Sequence, residues 1–142
     1  MARDVIYSLL KSDAELATLG GPGFVVVPNF TGDQRPNGAG AFLVIRWGVT
    51  GYAREVQDNG SHRFDLWVHY PVSLSTDYVR IDDMLDRCDE LFRAANDSQP
   101  TGADGWTVDE IDFEGRSGDF EDSGYQTICR RASYKVLSHK AS

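Results

Sequence analysis

The sequence predicts an α+β fold: a mainly antiparallel sheet of four to five strands with helices packed on one face, in the order α-α-β-β-β-α-β-β. Three observations carry this. Phe64, Leu66, Val68 and Tyr70 alternate with Arg63, Asp65, Trp67 and His69, the period of a strand with one buried face. Asn59-Gly60, just before that segment, is a strong hairpin signal and pairs it with the apolar stretch preceding it. Tyr78, Ile81, Leu85, Cys88, Phe92 and Ala95 step by threes and fours, one continuous helical stripe long enough to cover a sheet.

In chain order, Val5, Ile6, Leu9 and Leu10 recur at helical spacing. Ser12-Asp13-Ala14-Glu15 matches a capping box and starts a second short helix, with Leu16 and Leu19 as its apolar face. Gly20-Gly21-Pro22-Gly23 ends that helix, because glycine accepts positive φ and proline cannot continue it. Phe24 to Val27 is a short β-branched strand, followed by a turn-rich loop over residues 28–40 that carries Phe30 and Arg35. Residues 41–50 and 61–70 form the hairpin. The long helix spans about residues 76–96 and is capped by Ser75 or Thr76. Asp83–Arg87 and Asp89–Arg93, four apart, are expected to support it by about 0.3 kcal/mol each, with the remaining acids on a solvated face. Residues 96–105 are loop. Residues 106–114 and 124–137 are a closing strand pair joined by a turn over Glu114 to Asp119. Ile128, Ala132, Tyr134 and Val136 share one face of the return strand, opposite Thr127, Arg131, Ser133 and Lys135. The tail from His139 to Ser142 is expected to fray.

Residues 1–142 are expected to form a single domain, large enough to bury a core unaided. Lys and Arg number 14 against 22 Asp and Glu, a net charge of -8, which argues against a chain-wide basic footprint for nucleic acid. No apolar run is long enough to span a bilayer, and Met1-Ala2-Arg3-Asp4 does not begin a signal peptide. Cys88 and Cys129 match no zinc or redox spacing and read as small packing residues. Gly20 to Gly23 lacks the lysine of a phosphate-binding loop, and no nucleophile elbow occurs. His62 and His69 have opposite parity on one strand, so they point to opposite sheet faces and cannot share a ligand. No catalytic residue, metal set or cofactor is expected.

One charge asymmetry stands out. Asp109, Glu110, Asp112, Glu114, Asp119, Glu121 and Asp122 accompany a single base, Arg116. Arg130, Arg131, Lys135 and Lys140 follow with no acid among them. Three readings are open: cross-strand ion pairing with solvation; contact between an acidic tip and a basic strand of neighbouring subunits, or acids lining a channel; and a magnesium site of a phosphodiesterase or nuclease.

The order of elements and several local strings resemble the tail terminator (tail-to-head joining, or tail completion) proteins of long-tailed phages. The strings are VIYSLLKSDAELATLGG, GAFLVIRWG, HRFDLWVHY, the helix with Leu85 and Phe92, and RASYKVL in the closing strand; together they span nearly the whole chain. The loop at 28–40 and the acidic turn near 115–122 depart from the shortest members. The resemblance implies a structural protein, not an enzyme. It implies a homo-oligomeric ring, usually of six copies, in the neck of a virion assembled in the host cytoplasm. The ring would cap the tail tube protein, dock to the head–tail connector and let DNA pass without specific binding or any membrane. Phe30, Arg35, Arg130, Arg131 and Lys135 are the expected neighbour contacts in such a ring, and the seven acids face the lumen or the next copy. A chain of 142 residues has a diameter of about 37 Å as a sphere, and six touching spheres leave a hole of about that width, enough for a duplex roughly 20 Å across. An acidic lumen repels phosphates and lets the genome slide.

Overall fold

The computed structural model describes residues 2–28, 40–52 and 59–140. The elements run α1 (Arg3–Lys11), α2 (Ala14–Gly20), β1 (Val25–Val27), β2 (Phe42–Tyr52), β3 (Asn59–Pro71), α3 (Val79–Ser98), β4 (Trp106–Arg116), β5 (Phe120–Asp122) and β6 (Thr127–Lys140). The strands form one sheet in the order β1-β2-β3-β6-β4, with β5 also on the outer side of β6. Every pairing is antiparallel except β1 with β2. The α+β class and the mainly antiparallel sheet are as the sequence predicts. The sheet has one strand more than four to five, because Phe120–Asp122 pairs with Thr127–Cys129 ahead of the expected return strand.

Strand alternation divides the two faces. Leu43, Ile45, Phe64, Leu66, Val68, Ala132, Tyr134 and Val136 point to one side and are buried beneath the three helices, which contribute Ile6, Leu10, Leu16, Ile81, Leu85 and Phe92. The centre is aromatic: Phe64 stacks on Tyr134 at 5.4 Å, and Phe92 meets both edge-on. The Tyr134 hydroxyl donates to Asp89 on α3, and burial pushes this phenol up.

Several local expectations need correction. Asp13, not Ser12, caps α2: its carboxylate accepts the Leu16 N–H at 2.8 Å, while the Ser12 hydroxyl turns back to the Ser8 carbonyl and closes α1. The long helix starts at Val79 rather than about residue 76, because the Asp77 carboxylate accepts the Val79 N–H and the Ser75 hydroxyl accepts that of Asp77. The tail does not fray at His139 and Lys140, which pair with Thr107 and Trp106 in β4. Asp83–Arg87 and Asp89–Arg93 are not among the ion pairs of the described residues, and Arg87 and Asp89 bond elsewhere. Arg87 donates to both oxygens of Asp13 at 2.9 Å and to Glu90 at 2.9 Å. Its guanidinium holds the Asp13 carboxyl below the usual range. Nor are the acids of α3 simply solvated: Asp86 and Asp89 accept from Arg116 of β4 at 2.8 and 2.7 Å, and Asp82 accepts from Arg130 of β6 at 2.5 Å. These arginines lie on the helix side of the sheet, where pairing by a partly buried guanidinium outweighs a solvent-exposed contact within the helix.

The outer edge of β4 is covered in its first half. Asn96 of α3 donates to the Ile111 carbonyl at 3.0 Å and accepts the Ile111 N–H at 2.6 Å, the two bonds a neighbouring strand would make. The Val108 N–H donates to the Pro100 carbonyl at 2.9 Å. An exposed ladder edge is a template for unwanted pairing, and at Val108 and Ile111 this one is capped from within the chain.

Candidate functional site

Among the described residues no helix covers the other face of the sheet. The register sets its side chains in cross-strand rows: Phe42, His69, Cys129 and Phe120; then Val44, Trp67 and Arg131; then Arg46, Asp65 and Ser133; then Arg63, Lys135 and Asp112. In the first row Phe42 and His69 stack at 4.6 Å with 7° between their planes, and Tyr125 closes over both at 5.4 Å. His69 Nδ1 lies 2.8 Å from the Thr127 hydroxyl, and burial pushes the imidazole down to about 4, so it is neutral at pH 7. In the second row the Arg131 guanidinium lies over the Trp67 ring at 5.5 Å, a cation–π arrangement, and Phe120 flanks Trp67 at 6.0 Å. Between these rows Val44, Arg46, Trp67, His69, Asp122 and Tyr125 line a hollow of about 170 Å³.

The acids between 109 and 122 are dispersed. Asp109 lies 2.9 Å from His139, Glu114 pairs with Arg63 at 3.4 Å, and Asp119 is 3.9 Å from Arg130. Asp122 accepts the Tyr125 N–H at 3.1 Å and closes the turn into β6. Glu110, Asp112 and Glu121 are exposed. Among the described residues no group of three or more His, Cys, Asp or Glu is placed to hold a metal ion.

The basic strand divides as well. Arg130 points to the helix side, where it donates to the Ser117 carbonyl at 2.8 Å and to Asp82. Arg131 and Lys135 point to the helix-free side. Phe30 and Arg35 lie outside the described residues.

The end of the sheet beside β5 has its own character. The link from β3 to α3 exposes Val72 at 43%, Leu74 at 57% and Val79 at 57%. It is tied to β5 by the Tyr78 hydroxyl, which donates to the Phe120 carbonyl at 2.7 Å. Burial, and after it the nearby Asp119 and Glu121 carboxylates, push the Tyr78 phenol up. Asp77 is exposed in the same link. Four of the six large apolar residues exposed in the described chain, counting Phe120, therefore gather at one acidic end.

The hollow and the apolar link are the surface features that the charge pattern alone misses. Their signal was present: Trp67 and His69 sit on the polar parity of a half-buried strand, where large aromatics are unusual unless something covers them. What the arrangement offers is contact chemistry: aromatic anchors, a guanidinium stacked on Trp67, and interleaved charges of both signs.

No protein-family model matches the chain, and no curated protein matches it in sequence. Among solved structures it is similar to a chain of the "Virion of native gene transfer agent (GTA) particle", with a TM-score of 0.60 and 14% identity over 94% of this chain and 91% of that one. At this identity the likeness is one of fold.

Proposed function

We propose that this chain is a structural protein of a phage-like virion and not an enzyme. Its copies, six in number, close into a ring that ends the tail tube and joins it to the head–tail connector, leaving a channel for DNA. The observation that most supports this is the shared fold, over nearly the full length of both chains, with a component of a gene transfer agent virion. The resemblance of the sequence to tail terminator proteins supports the finer role.

The physical properties suit that role. A net charge of -8 lets a ring of such subunits repel duplex phosphates rather than grip them. The exposed Glu110 and Asp112 of β4 are the acids for the channel wall. Ring closure needs one patch to meet a different patch on the next copy, and the chain carries two unlike surfaces, the helix-free face and the acidic apolar end.

The test is to add the purified protein to growing cognate tail tubes and image them. Tubes should stop lengthening and acquire an extra density at one end. Tubes that grow on uncapped, with the protein left free in solution, would overturn the role.

A further inference from the structure

We draw no further inference here: the strongest candidate, the hollow on the helix-free face lined by Arg46, Trp67, Asp122 and Tyr125, is bordered by charges of both signs over a floor of already buried Val44 and His69, and nothing in the structure shows what covers it.

Discussion

Acid should destabilise this protein well above the pH at which its carboxylates titrate. His62 is fully buried between Trp47 and Trp106, and His69 is 5% exposed against Phe42. Burial lowers both imidazoles from 6.5 to about 4. The unfolded chain therefore binds two protons near pH 6.5 that the folded chain refuses until about pH 4. Stability is full above that window and is lost as the pH falls through it. At pH 5 each histidine costs about 2 kcal/mol, so the pair costs about 4 kcal/mol, a large part of a small domain's total. Urea unfolding at pH 7.5 and pH 5.0, at fixed protein concentration and ionic strength, reads this through tryptophan fluorescence. His62→Phe with His69→Asn should lower stability at neutral pH but remove most of the pH dependence. Equal stability of the wild type at the two pH values, or an undiminished slope in the double variant, would refute the buried neutral histidines.

Arg116→Ala should cost about 2 kcal/mol in urea unfolding, because Asp86 and Asp89 lose their guanidinium in a partly buried setting. Arg63→Ala, which breaks only the exposed pair with Glu114, should cost under about 0.5 kcal/mol in the same assay. Asn96→Ala strips both main-chain partners of Ile111 and should cost about 2 kcal/mol, with faster hydrogen exchange at the Ile111 amide. At Gly40 an added Cβ would lie 2.3 Å from the Pro22 carbonyl oxygen, whereas at Gly118 it would meet nothing within 4 Å. Gly40→Ala should therefore lower the melting temperature clearly and Gly118→Ala should leave it nearly unchanged. Burial pushes Cys129 up to about 11 and leaves Cys88 fully enclosed, so thiol labelling of the native protein should be slow and should accelerate with unfolding.

The sheet was legible wherever alternation is strict. Phe64 to Tyr70 and Ile128 to Val136 each have one parity that must be buried, and a slip of one residue would expose the whole set. The α3 stripe was legible for the same reason at its own period. What local pattern does not carry is the choice of partner at long range. Asp89 can reach Arg93 on its own helix, but the partly buried Arg116 and the Tyr134 hydroxyl outcompete it once the sheet lies beneath. Likewise Asn96 matches a glycosylation pattern with Ser98, yet its amide closes the edge of β4. The seven acids read as a block in sequence but alternate between sheet faces, turns and an edge, so they never form one site. The acidic apolar end is assembled from residues 72–79 and 119–121, which only the pairing of β5 with β6 and β3 with β6 brings together.

Electron micrographs of the purified protein at high concentration decide the matter of the ring. Class averages should contain closed rings of uniform copy number, six on the present reading, with a central opening wider than the roughly 20 Å of duplex DNA. Single subunits at every concentration, open filaments, or a closed particle too narrow to admit a duplex would contradict it.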